Sequence, residues 1–116
     1  MARFKKYNGP DKYHFRVYKV SIGHPCLIVA VKEEKLDGKI YLDGYLITHS
    51  FERFLDKPNV YIQLHTNPNS KDDRTCFINR HKIRNIPSSR FSKPYSSWHL
   101  SKIDEKLIDD LEAKNK

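Results

Sequence analysis

Three consecutive stretches decide the fold: Cys26-Leu27-Ile28-Val29-Ala30-Val31, then Lys32-Glu33-Glu34-Lys35-Leu36-Asp37-Gly38, then Lys39-Ile40-Tyr41-Leu42-Asp43-Gly44-Tyr45-Leu46-Ile47-Thr48. The first is a short, continuous, partly β-branched apolar run, which suits a central strand buried on both faces. The second is charged and ends in Asp-Gly, as a hairpin connection does. The third is a further apolar strand interrupted at Asp43-Gly44, which marks either a bulge or a tight turn. The bulge is the preferred reading, because each flank is short for an independent strand.

Working outward, Tyr13 to Val20 alternates Tyr13, Phe15 and Val17 with His14, Arg16 and Tyr18, and reads as a strand. Residues 1–12 are basic and hold the turn former Asn8-Gly9-Pro10-Asp11, so a mobile or loosely docked arm is expected. Beyond Thr48, Ser50 to Asp56 fits one helical turn stopped by Pro58, and Asn59 to Leu64 a strand. Thr66 to Asp73 is polar and full of turn residues. Arg74 to Asn79 and Lys82 to Ile86 are expected as strands, and Pro87 to Trp98 as an irregular Ser/Pro-rich stretch. The last element is a helix over 101–114. Ser101 caps it, Asp104 completes a capping-box-like pair, and Ile103, Leu107, Ile108 and Leu111 form its apolar stripe. The expected architecture is mostly β: one domain over 13–116, a small barrel of five or six strands closed by a C-terminal helix.

The chain has 116 residues and a formal net charge of +8. From Ser101 to Lys116 four lysines stand against five acids, so the basic excess lies in residues 1–100. Such a surface attracts phosphate backbones. The apolar run from Cys26 to Val31 is far shorter than the ~20 residues of a membrane span. The N-terminus shows no signal-peptide h-region, which makes the cytoplasm the expected compartment. Cys26 and Cys76 both fall in expected strands and read as two buried thiols.

No Gly-rich phosphate loop, Cys-x-x-Cys pair or nucleophile elbow occurs, and the six histidines lack metal-ligand spacing, so neither metal nor cofactor is expected. Two polar clusters remain. Gly23-His24-Pro25 stands at the start of one apolar strand and Thr48-His49-Ser50 at the end of the next. If those strands pair antiparallel, the two clusters meet at one edge. A pair of imidazoles there suits acid–base chemistry near neutral pH. In RNA, one would take the proton of a 2′-hydroxyl and the other would protonate the departing oxygen, which DNA chemistry does not allow. Arg53, Arg80, Lys82 and Arg84 are the candidate phosphate contacts. Tyr13, Tyr18, Tyr41, Tyr45, Tyr95 and Trp98 offer stacking faces, with Trp98 better suited to plugging the core.

The order of these segments resembles the PemK/MazF family, the ribonuclease toxins of bacterial toxin–antitoxin pairs. His24-Pro25-Cys26-Leu27-Ile28-Val29 stands where the family has a strand opening with Arg-Pro, and Ile47-Thr48-His49-Ser50 where a strand ends in Thr-Ser. Cys76 to Pro87, Trp98-His99-Leu100-Ser101 and the Ile103/Leu107/Leu111 helix echo the later segments, so the likeness covers residues 23–113. It implies an SH3-like barrel, metal-independent cleavage of single-stranded RNA, a homodimer and an antitoxin partner. The family's Arg maps onto His24 and its Thr onto Thr48. A histidine exchanges protons where an arginine stays charged, so the division of labour differs. The tight Ser21-Ile22-Gly23 turn also departs from the family's long loop near the N-terminus. The alternatives are a non-enzymatic nucleic-acid-binding module on the same barrel and a mobile-element protein-interaction domain.

Overall fold

The computed structural model describes residues 2–10, 12–20, 23–49 and 60–115. The apolar run and its successor pair as expected. Strand β3 (Pro25–Glu34) runs antiparallel to β4 (Ile40–Thr48), from Cys26 opposite Leu46 to Glu33 opposite Ile40. Gly38, at φ +69°, takes the left-handed position of the connecting turn and donates its N–H to the Glu34 carbonyl at 2.9 Å. Cys26, Leu27 and Ile28 are all fully buried, so this part of β3 is covered on both faces.

β4 passes Asp43-Gly44 without a bulge of its own. The extra residues lie in its neighbours. Ile28 faces Gly44 while Ala30 faces Asp43, which leaves Val29 as the surplus residue in β3. On the other side, Leu42 faces Ile86 and Gly44 faces Ile83 in β7 (Ile83–Pro87), where Asn85 sits at φ +57°. The expected irregularity is therefore at the right place but on the wrong strands. Gly44 explains why: a Cβ there would lie 2.4 Å from the Leu27 carbonyl oxygen and 2.7 Å from Cys26 Sγ. Asp43 is buried and accepts the Asn85 N–H at 2.8 Å, and its carboxylate pairs with Lys32 at 3.1 Å.

The long strands each serve several partners. β3 takes β2 (Val17–Val20) along its first residues and β1 (Phe4–Lys6) along its last. β4 takes β7 first and β6 (Phe77–Asn79) at its end, and β6 pairs onward with β5 (Tyr61–Gln63). β8 (Phe91–Pro94) completes an eight-stranded antiparallel sheet on the far side of β2. Among the described residues β5 and β8 do not pair with each other, so the sheet is open rather than closed. A mostly β fold with one C-terminal helix is what the chain forms. No helix is long and apolar enough to cross a membrane among the described residues.

Several expectations change for local reasons. Tyr13 to Val20 is not one strand, because Phe15 takes φ +56° and Tyr13 to Arg16 closes a turn, with Arg16 N–H on the Tyr13 carbonyl at 3.0 Å. The N-terminal arm contains a paired strand. β3 outruns its apolar stretch, and its acids hold Arg3 (to Glu34, 2.9 Å) and Lys5 (to Glu33, 2.8 Å). The Ser/Pro-rich stretch yields a 3-10 turn, Ser88–Arg90, and then β8, an edge strand on which Pro94 is tolerated. Arg74 to Cys76 belong to a loop, leaving only Phe77–Asn79 as strand. The helical turn expected over 50–56 lies outside the described residues.

Two cores result. One joins Val17, Leu27, Tyr45, Ile47, Leu64, Cys76 and Ile78 to Ile108 and Leu111 of helix α1 (Lys102–Lys114). The other holds Tyr18, Val20, Cys26, Ile28 and Leu42. Ile103, expected in the helix stripe, is 61% exposed; Ile108 and Leu111 make the contact. Cys26 and Cys76 are free, buried and in different cores.

A side chain at position 44 must displace the β3 backbone, and overpacking of this kind costs about 2–3 kcal/mol. Gly44→Ala is expected to lower the urea midpoint of unfolding accordingly, whereas Leu36→Ala, at a 95% exposed hairpin tip, is expected to leave it unchanged.

Candidate functional site

The ends of β3 and β4 share one edge of the sheet, as the sequence implies. Counted on from Cys26 opposite Leu46, the register sets His24 level with Thr48. His24 is exposed, and its carbonyl accepts the Val20 N–H at 3.2 Å. Thr48 is half-buried and pairs with Phe77 of β6. His49 continues the series of Tyr45 and Ile47 to the other face and turns to a different partner. Its Nε2 lies 3.7 Å from Asp72 Oδ2, is shielded from solvent and forms no hydrogen bond. Burial lowers the His49 pKa, the Arg74 charge lowers it further, and the Asp72 carboxylate opposes both. The net result favours a neutral imidazole at neutral pH. Ser50 and Arg53 lie outside the described residues.

Asp72 and Arg74 belong to the loop between β5 and β6, whose base is closed by the Leu64 N–H on the Cys76 carbonyl at 2.9 Å. The turn residues seen in the sequence build it by side-chain acceptance of nearby backbone N–H groups. Asn67 accepts from Asn69 at 3.0 Å, Asn69 from Lys71 at 3.2 Å, and Asp72 from Arg74 at 3.0 Å. Asp72 also grips the Arg74 guanidinium through both oxygens, with Nε 2.9 Å from Oδ1 and the nearest terminal nitrogen 2.6 Å from Oδ2. The side-chain hydrogen bond from Arg74 holds the Asp72 carboxyl far below the usual carboxylate range.

The same loop carries His65, which sequence reasoning did not single out. Its Nδ1 lies 2.9 Å from Asp104 Oδ1, and its side chain is 54% exposed. Asp104 is fully buried at the start of α1. It accepts the backbone N–H of His65 at 2.8 Å and that of Thr66 at 3.0 Å. Burial acts to raise the Asp104 pKa, but these hydrogen bonds outweigh it and the pKa is lowered. The capping box forms in one direction only: Ser101 Oγ accepts the Asp104 N–H at 3.2 Å, and the Asp104 carboxylate turns away to the loop. A sequence signal did exist, since Leu64-His65-Thr66 ends a strand as Ile47-Thr48-His49 does, but its aspartate is 39 positions away.

His65, Thr66, Asp72 and Arg74 line one cavity of about 270 Å³. A carboxylate on Nδ1 fixes the ring and leaves Nε2 for a substrate, the arrangement that general acid–base histidines use. Cys76 also borders this space, but burial first, then the Asp72 and Asp104 charges, push its thiol up to about 12. Cys26 is likewise pushed up to about 12 by burial. Neither is a thiolate nucleophile at neutral pH. No cluster of three or more metal-ligand residues occurs among the described residues.

The expected phosphate contacts are placed otherwise. Lys82 is only 8% exposed and pairs with Glu112 at 3.0 Å. That carboxylate also accepts from Tyr45 OH at 2.5 Å, and Asn115 Nδ2 donates to the same hydroxyl at 3.1 Å. Arg84 donates to the Asn115 carbonyl at 2.8 Å. Lys82 and Arg84 thus fasten the end of α1 to the sheet. Arg80 borders a cavity of about 310 Å³ on the outer side of α1, with Ile103, Lys106, Asp110 and Lys114. Trp98 stacks on Tyr95 at 4.5 Å and packs against the first core, as expected for a plug.

Removing the Asp104 charge strands two backbone N–H groups and the histidine, so Asp104→Asn is expected to cost about 2–3 kcal/mol at pH 7 in urea unfolding. The folded-state pKa is lowered, so this stabilisation is present above the ordinary Asp value of about 3.9 and fades as pH falls through the folded value. The gap between wild type and Asp104→Asn is therefore expected to narrow in the same measurement at pH 3. Compared with known proteins, the chain matches no protein-family model, no curated protein and no solved structure.

Proposed function

We propose that this protein is an endoribonuclease that cuts single-stranded RNA through the 2′-hydroxyl, with its chemistry in the His65–Asp104 cavity. The observation that carries the reading is the dyad itself, a half-exposed imidazole held at 2.9 Å by a buried, ionised carboxylate beside Arg74. One imidazole takes the proton of the 2′-hydroxyl, whose oxygen attacks the adjacent phosphorus. The bond to the 5′-oxygen breaks, and that oxygen leaves with a proton from a second acid. The products are a 2′,3′-cyclic phosphate and a 5′-hydroxyl. His65 is the accessible acid–base group, and Asp104 positions it. His49, across Asp72 from Arg74, is the candidate for the second group. Arg74 supplies positive charge for the pentacoordinate phosphorus. The +8 net charge of the chain supports a polyanionic substrate.

The PemK/MazF likeness supports the same reaction class on an SH3-like barrel, with a second copy of this chain and an antitoxin protein as partners. In that likeness His24 and Thr48 hold the functional places. The geometry supports moving the centre from His24 to His65.

The test incubates the purified protein with a long single-stranded RNA in EDTA and follows cyclic-phosphate ends. Wild type is expected to cut RNA but not a 2′-O-methyl copy. His65→Ala is expected to lose about 10²–10⁴-fold in rate, the usual share of one acid–base group. His24→Ala is expected to keep most activity; the reverse order of these two variants would return the centre to His24, and an inert wild type would end the reading. Because the His49 pKa is lowered, the rising limb of kcat/KM against pH is expected below the ordinary histidine value of about 6.5, and to shift in His49→Gln.

A further inference from the structure

On the side of the second core, β2, β8 and the Tyr13–Arg16 turn enclose an open groove of about 530 Å³. Lys12, His14 and Arg16 line it together with Tyr13, Tyr18 and Phe91. The rings form a continuous series. Tyr7 to Tyr13 is 6.2 Å between centroids, Tyr13 to Tyr18 is 5.9 Å and Tyr18 to Phe91 is 6.1 Å. Tyr18 is buried as the base of the series, while Tyr13 and Phe91 are partly exposed. Lys12 Nζ lies 5.3 Å from the Tyr13 ring centre. The chain continues past the groove with Arg90 and Lys93, both exposed.

Arg16 is the unusual member. Its backbone is fixed, with the N–H on the Tyr13 carbonyl at 3.0 Å and the carbonyl receiving the Ile28 N–H at 3.0 Å. Its Nε is shielded from solvent and has no hydrogen-bond partner. A buried guanidinium donor left unmatched beside a groove is costly unless an acceptor arrives. Phosphate oxygens match it, since the guanidinium presents donors in a planar fork. Partly exposed rings next to that cation match unpaired bases, which stack on aromatic faces irrespective of sequence.

We propose that this groove is a binding site for a single-stranded RNA segment, with Arg16 and Lys12 on its phosphates and Tyr13 and Phe91 against its bases. The inference takes its ligand class from the ribonuclease reading but not its chemistry. The groove belongs to the second core and the His65 cavity to the first, so binding and cleavage are separable.

The test measures binding of a fluorescein-labelled oligouridylate 12-mer by anisotropy between 50 and 200 mM salt. It compares wild type with Lys12→Ala/Arg16→Ala, Tyr13→Ala and His65→Ala, each checked for an unchanged urea midpoint. Removing the Arg16 and Lys12 side chains breaks no side-chain hydrogen bond given by the fold, so folding is expected to survive. The double variant is expected to bind at least about tenfold more weakly and to lower the slope of log K against log salt by about 1.4, for two phosphate contacts on a single strand. Tyr13→Ala is expected to weaken binding with the salt slope unchanged, and His65→Ala to bind as wild type does. Wild-type affinity and slope in the double variant would overturn the groove, as would an absence of binding by the wild type. A loss confined to His65→Ala would place the RNA at the dyad instead. RNA bound but left uncut would sink the ribonuclease reading and leave the groove standing.

Discussion

The close approach of β3 and β4 at Gly44 is the constraint on which the rest of the molecule depends. With the Leu27 carbonyl occupying the space of a Cβ, only glycine fits, and the two backbones touch where most sheets hold side chains. The neighbouring strands accommodate this by carrying the surplus residues, Val29 in β3 and the Arg84–Asn85 step in β7. Asp43 then locks the arrangement through Asn85 and Lys32. A bulge raises local twist and bends a strand, and here two bulges flank one point. The sheet beyond it is redirected: β4 leaves β7 and pairs with β6, which brings the β5–β6 loop under the N-terminus of the helix.

Asp104 is the second joint, and it connects packing to chemistry. A carboxylate at the start of a helix is ordinarily a surface feature that favours the positive end of the dipole. In this chain it is fully buried, because Ile108 and Leu111 draw the helix onto the first core and leave its first turn facing His65 and Thr66. Two backbone N–H groups compensate the burial and keep the carboxyl ionised. One group thus serves fold and site together. The Lys82–Glu112–Tyr45 cluster does the corresponding work at the far end of the helix, which is why basic residues that look free in the sequence are committed to structure.

Much of the fold was legible. The β3–β4 hairpin, the polar loop, the plugging role of Trp98 and the capped helix all rest on local patterns, where the composition of ten residues suffices. Strand lengths were less legible. Phe15 occupies the left-handed region only because β3 engages both sides of it, and β8 forms from a Ser/Pro stretch only because β2 presents an unpaired edge. The site was legible in part. His24, Thr48 and His49 were placed at one edge by the antiparallel pairing alone, whereas His65 gains meaning from Asp104, far along the chain.

The sequence by itself determined a basic, mostly β chain with a C-terminal helix, because periodicity, turn chemistry and capping act over a few residues. It also determined that charge and histidines outnumber any metal or nucleotide motif. Only the tertiary structure decided which cations are spent on structure, which histidine meets a carboxylate, and which aromatic rings line a groove beside an unmatched arginine. Those are properties of pairs distant in sequence, and a hydrogen bond or a buried charge exists only once packing has set both partners in place.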